Sequence, residues 1–161
     1  MGQAKIRILF VCMGNICRSP AAEAVMQSKV EEAGLSHLIE CDSAGTINYH
    51  SGQPADQRMR NAASGRGYHM TSRARKIREV DLKTFDHILT MDEDNYNEVI
   101  ELDIDARYRE KIRPFCSYVK AFDVTDIPDP YYGGLDGFDH VLDLLEDGCG
   151  NLLENLTKHP I

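Results

Sequence analysis

An apolar run, Ile6 to Val11, ends in Cys12-Met13-Gly14-Asn15-Ile16-Cys17-Arg18-Ser19 and passes straight into Pro20-Ala21-Ala22-Glu23-Ala24. This is the most constraining stretch of the chain, because it reads as a buried strand, a tight loop and a helix with nothing between them. Ser19 reads as the helix N-cap and Pro20 as its first helical residue. The loop's N–H groups can converge on a phosphate-sized anion, and the helix N-terminus adds roughly half a positive charge at the same point. Arg18 offers a planar fork that grips two oxygens at once. A positive field of this kind favours the nucleophilic thiolate at Cys12. The plainer reading is that Cys12 ends a buried strand and Arg18 caps a surface helix. Against it stands the meeting of cysteine, glycine, arginine and a helix start at a strand-to-helix switch, where open α/β sheets bind ligands.

The rest of the chain alternates in the same way. A first helix runs from about Ser19 to Ala33 and is ended by Gly34. Ile39 to Ser43 reads as a short strand, Ala44 to Ala55 as a loop rich in turn residues, and Asp56 to Gly67 as a helix carrying Arg58 and Arg60. Phe85 to Met91 reads as a third strand, after which Asp92 caps a helix to about Leu102 with Glu93 and Asp94 in its first turn. A fourth strand is expected near Lys111 to Phe115, then a loop from Ile127 to Gly134. The last helix, about Asp136 to Lys158, carries an apolar stripe of Phe138, Val141, Leu142, Leu145, Cys149, Leu152, Leu153 and Leu156, with Gly148 and Gly150 as candidate kink points. Such alternation predicts an α/β fold whose parallel sheet is covered by helices on both faces. No repeat, low-complexity tract or linker divides the chain, so 1–161 is expected to form one domain.

Composition narrows the function classes. Hydrophobic content of 42% and charged content of 27% are those of an ordinary globular protein. No apolar run approaches the roughly 18 residues of a membrane span, and Arg7 splits the N-terminal run. A cleaved signal peptide there would damage the Cys12 loop, and Ile6 sits where a myristoylation signal wants Ser or Thr. Five cysteines with no secretion signal argue for a reducing, cytoplasmic home. A net charge of −8 argues against nucleic acid as partner. It does not exclude an anion site, because salt screens exposed charges beyond about 8 Å. The histidines (37, 50, 69, 87, 140 and 159) show no metal-ligand spacing, and no Walker motif is present, so neither metal nor cofactor is expected.

Cys12-Met13-Gly14-Asn15-Ile16-Cys17-Arg18-Ser19-Pro20 resembles the phosphate-binding loop of the low-molecular-weight protein tyrosine phosphatases. Asp42-Ser43-Ala44-Gly45-Thr46 is similar to that family's second block, and Asp129-Pro130-Tyr131-Tyr132-Gly133 to its general-acid loop. The resemblance spans nearly the whole chain and is of the bacterial type. It implies a doubly wound four-stranded parallel sheet of flavodoxin-like order, and hydrolysis of phosphotyrosine monoesters through a phosphocysteine. In that scheme Cys12 is the nucleophile. Arg18 and the amides of Met13, Gly14, Asn15, Ile16 and Cys17 bind the phosphoryl group, and Asp129 is the general acid and then the base.

The resemblance also implies supporting roles. Ser19 is a hydroxyl donor to the thiolate. Asn15 is a left-handed residue bonded to Ser43 and Ser19, and Asp92 is a further loop support. Tyr49, Tyr131 and Tyr132 are aromatic walls that stack on a phenyl ring and exclude shorter phosphoserine. Ser72 departs from the family, since many members have histidine there. Related protein-arginine phosphatases tend to carry Thr where this chain has Ile16, and an apolar residue favours an aromatic substrate. Cys17 is placed to form a reversible disulfide with Cys12, while Cys41, Cys116 and Cys149 read as core residues. The expected partner is a phosphotyrosine-containing protein, with phosphate and other oxyanions as inhibitors. Two other readings carry less: a thiol-dependent arsenate reductase, for which Lys76 to Leu102 offers no resolving cysteine, and an inactive phosphotyrosine binder, which has no use for Cys12 or Asp129.

Overall fold

The computed structural model describes residues 5–132, 134 and 136–158. The Met1-Gly2 start, Gly133 of the acid motif and His159 lie outside the described residues, as does the side chain of Tyr132. Four strands, β1 (Ile6–Cys12), β2 (Ile39–Gly45), β3 (His87–Thr90) and β4 (Ile112–Pro114), form one sheet in the order β2-β1-β3-β4, all neighbours parallel. The helices are α1 (Arg18–Glu32), α2 (Gln57–Ser64), α3 (Glu79–Thr84), α4 (Glu93–Leu102) and α5 (Asp136–Lys158).

β1 shows why both faces are covered. Its side chains alternate, with Ile8, Phe10 and Cys12 entering one core and Leu9 and Val11 the other. The first core is closed by α1, α2 and α5, through residues such as Val25, Met26, Met59, Phe138 and Leu145. The second is closed around Ile77, Leu82, Phe85 and Val99, which α3, α4 and the segments beside them supply. This is the doubly wound α/β fold with flavodoxin-like order expected from the sequence.

Register brings the functional ends together. Cys12 pairs with Gly45, and Val11 is flanked by Ala44 and Thr90, so β1, β2 and β3 finish level. The strand order reverses about β1, and a crevice opens at the carboxyl ends of strands at such a point.

Three expectations change. The segment Glu79–Thr84 is a helix that the pattern reading did not contain. Helix α5 runs unbroken through Gly148 and Gly150, and Gly148 serves packing: a Cβ there would lie 2.3 Å from the Phe115 ring. Ser19 is not an N-cap, because α1 begins at Arg18 and Cys17 occupies the cap position without a side-chain hydrogen bond. At the start of α1 the Arg18 and Ser19 N–H groups therefore have no side-chain cap, while Pro20 has no N–H and the Ala21 N–H donates to the Cys17 carbonyl at 3.2 Å.

Candidate active site

The loop after β1 is built around a left-handed residue. Asn15 has φ 59°, a conformation asparagine tolerates better than most residues. Its Nδ2 donates to Ser19 Oγ at 2.8 Å, and its Oδ1 accepts from the Arg75 backbone N–H at 3.0 Å. Ser43, expected to bond Asn15, instead donates to Glu23 Oε1 at 2.6 Å. The chain at Arg75 runs beside the end of β2, its carbonyl accepting from the Gly45 N–H, and this puts the Arg75 N–H against Asn15 Oδ1. Gly45 lets the loop after β1 lie against the end of β2, since a Cβ there would lie 2.7 Å from the Met13 carbonyl oxygen.

Cys12 Sγ sits 3.0 Å from Ser19 Oγ and accepts from the Asn15 N–H at 3.3 Å. The Ser19 hydroxyl accepts from Asn15, and its one proton faces two acceptors, Cys12 Sγ at 3.0 Å and the Ala44 carbonyl at 3.4 Å. Arg18 is 3% exposed yet well partnered. Its Nη1 donates to Asp92 Oδ2 at 2.6 Å and to the Ile127 carbonyl at 3.1 Å, and its Nη2 lies 3.6 Å from Asp129 Oδ2. Burial opposes the guanidinium charge, but Cys12, Asp92 and Asp129 outweigh it and hold the group above its ordinary value. Asp92 serves two structures at once, because its Oδ1 also caps α4 by accepting from Asn95 N–H at 2.8 Å.

The acid motif lies opposite. Asp129 Oδ1 accepts from the Tyr131 N–H at 3.0 Å, and Pro130–Tyr132 form a short 3-10 turn. Ile127 anchors the segment, fully buried, with its N–H bonded to the Met91 carbonyl at 2.7 Å. A cleft with about 350 Å³ of empty volume, open mouth included, is lined by Cys12, Met13, Gly14, Ile16, Cys17, Arg18, His50, Asp129 and Tyr131.

Not every expected wall residue lines that cleft. Tyr49 is 79% exposed and sits behind His50, ring against ring at 4.7 Å. His50 lines the cleft in its place and faces Tyr131 across 6.5 Å. Its Cδ2 would lie 3.1 Å from a Cβ at Gly14, so the loop glycine makes room for the ring.

Pattern reading overlooked His50, Arg75, Ile127 and Glu23. Glu23 is a buried carboxyl pushed above its usual range by burial, with Ser43 and Ser72 hydroxyls drawing it back. Ser72, at the position where many family members have histidine, thus bonds the same carboxyl as Ser43. Burial pushes the Cys17 thiol well up, with Asp56, Cys12 and Asp129 adding to the effect. Cys41, Cys116 and Cys149 are buried as expected. Among the described residues, no group of three or more histidine, cysteine or acidic side chains could hold a metal, and no helix is long and apolar enough to cross a membrane.

Comparison with known proteins matches residues 7–160 to the model of the low molecular weight phosphotyrosine protein phosphatases. The chain belongs to this family. It is 50% identical over 153 residues to a Synechocystis sp. protein that carries the family's name, covering 95% of this chain and 98% of that one. The low molecular weight phosphotyrosine protein phosphatase of Homo sapiens is 38% identical over 153 residues, with 94% and 96% covered. A protein tyrosine phosphatase from Entamoeba histolytica, solved with Hepes in the active site, superposes with a TM-score of 0.93 at 46% identity over 96% of this chain and 98% of that one. The enzyme class is that of the family, a cysteine-dependent protein-tyrosine-phosphatase.

Proposed function

We propose that this chain hydrolyses phosphotyrosine in proteins through a phosphocysteine formed on Cys12. Cys12 Sγ attacks phosphorus in line, forming the S–P bond as the P–O bond to the phenol breaks. Asp129 gives its proton to the departing phenolate oxygen. The Asp129 carboxylate then takes a proton from water, whose oxygen bonds to phosphorus while the S–P bond breaks, returning the thiolate and inorganic phosphate. Arg18 and the amides from Met13 to Cys17 hold the equatorial oxygens, with greatest effect where charge develops in the transition state.

One observation carries the reading. Around a single cleft stand a buried sulfur in hydrogen-bond contact with the Ser19 hydroxyl and the Asn15 N–H, an arginine fixed by Asp92 and Ile127, a helix N-terminus without a side-chain cap and the carboxyl of Asp129. Selectivity for phosphotyrosine is supported by Ile16, His50 and Tyr131 on the walls, which suit a flat ring. Tyr49 belongs to the outer rim, where it meets the protein chain around the phosphotyrosine. Inorganic phosphate and related oxyanions compete for the same cradle. Cys17, a neutral thiol beside the nucleophile, is the candidate partner for an oxidised Cys12. A reducing cytoplasmic location fits the thiol chemistry, and an acidic chain fits neither nucleic acid nor an anionic membrane surface.

The test is turnover of phosphotyrosine, phosphoserine and phosphoarginine peptides by the metal-free enzyme in reductant, with Cys12→Ser beside it. The reading predicts phosphotyrosine turnover that vanishes in the variant. Preference for phosphoarginine would refute the wall assignment, and turnover that survives in Cys12→Ser would refute the nucleophile.

A further inference from the structure

Arg58 stands outside the cleft, yet it is tied to both of its sides. Its Nη2 donates to the Tyr131 carbonyl at 3.2 Å, and the guanidinium lies over the Tyr131 ring at 5.2 Å and the Phe138 ring at 4.9 Å. On the other side it forms a two-point pair with Asp56, Nε to Oδ1 at 3.2 Å and Nη2 to Oδ2 at 3.0 Å. Asp56 caps α2 by accepting from the Arg58 and Met59 N–H groups, and its own N–H donates to the Ile16 carbonyl of the phosphate loop at 2.8 Å. Tyr131 is in turn bonded through its N–H to Asp129 Oδ1.

The contacts form one continuous path: Ile16 to Asp56, Asp56 to Arg58, Arg58 to Tyr131, Tyr131 to Asp129. We propose that Arg58 is a positioning residue that sets the Asp129 carboxyl against the phosphate loop by holding the Tyr131 backbone and ring. The inference rests on Asp129 being the general acid. The physical case is geometric. A carboxyl on an exposed turn loses catalytic effect when it is free to swing, because proton transfer needs the donor within hydrogen-bond reach of the leaving oxygen. Arg58 restrains that turn at a carbonyl, at a ring face and, through Phe138, against the start of α5. Only a planar cation makes all of these contacts at once. Lysine keeps the charge but cannot pair with Asp56 at two points while its cation also stands over two rings.

The distinguishing measurement is kcat/KM, which covers the steps up to departure of the phenol, across aryl phosphates from nitrophenyl (good leaving group) to phenyl (poor). Variants Arg58→Met, Arg58→Lys, Asp129→Ala and Arg58→Met/Asp129→Ala are compared, with thermal melting to confirm folding. The expected result is about a tenfold loss for phenyl phosphate in Arg58→Met, a share of the general-acid effect, and little loss for nitrophenyl phosphate. Arg58→Lys should resemble Arg58→Met. Adding Arg58→Met to Asp129→Ala should cost little more, because the residue acts through the acid that is already gone. An equal loss across leaving groups, or a full extra loss in the double variant, would overturn the positioning role. If Asp129→Ala itself shows no leaving-group dependence, the general-acid reading fails instead, and the two failures are told apart.

Discussion

The two sides of the cleft are built to different standards. On the phosphate side Ser19, Asn15, Cys12 and Arg18 are 0%, 2%, 3% and 3% exposed. Ser19 donates to the Ala44 carbonyl, Arg18 donates to Asp92 and the Ile127 carbonyl, and Asn15 accepts from the Arg75 N–H, so the partners lie on segments far apart in the chain. On the substrate side Tyr131 and Tyr49 are 38% and 79% exposed, and the Asp129 side chain is 30% exposed. The two sides divide the labour. A phosphoryl group has one shape, so its cradle can be fixed and buried. The polypeptide around a phosphotyrosine varies, so the walls stay at the surface, where their side chains can change without disturbing the core.

If that division is right, effects of substitution should fall from the cradle outward. Cys12→Ser should lower kcat by about 10⁴–10⁶-fold while phosphate binding, followed by calorimetry, persists. Asp129→Ala should reduce kcat/KM for phenyl phosphate by about 10²–10⁴-fold and spare nitrophenyl phosphate, whose leaving group needs no proton. Arg18→Lys should lose about 10²–10³-fold in kcat, since a point charge cannot replace a fork held by Asp92 and Ile127. Gly45→Ala, which puts a methyl against the Met13 carbonyl, should cost about 10²-fold in activity by displacing the loop. Tyr49→Ala should change kcat/KM for small aryl phosphates by no more than about twofold, with a larger change confined to KM for phosphopeptides. A Tyr49→Ala effect as large as that of Gly45→Ala would break the comparison, because an exposed rim residue would then matter as much as the cradle.

Much of this was legible in the sequence. β1, the loop and α1 lie within 27 residues of one another, so their apolar run, glycine and arginine could be read locally. Asp92 was found because an N-cap has a local signature. What escaped depends on distance along the chain. Arg75 reaches Asn15 through a backbone N–H, 60 positions away, so no side-chain pattern marks the contact. Glu23 looks like a solvent-facing helix residue until β2 covers it and Ser43 donates to it. Ser19 obeys the capping rule in composition but not in fact, because tertiary contacts with Cys12 and Asn15 claim its hydroxyl. Helix α3 has six residues, too few for a 3.6-residue period to show.

Rapid quenching of the wild-type enzyme with a phosphotyrosine peptide in reductant, followed by mass mapping of the protein, reads the phosphocysteine on Cys12 itself. A phosphoryl group on Cys12, formed and consumed within the time of one turnover, is the predicted result. A phosphoryl group on any other residue, or steady turnover with Cys12 never modified, would contradict the account.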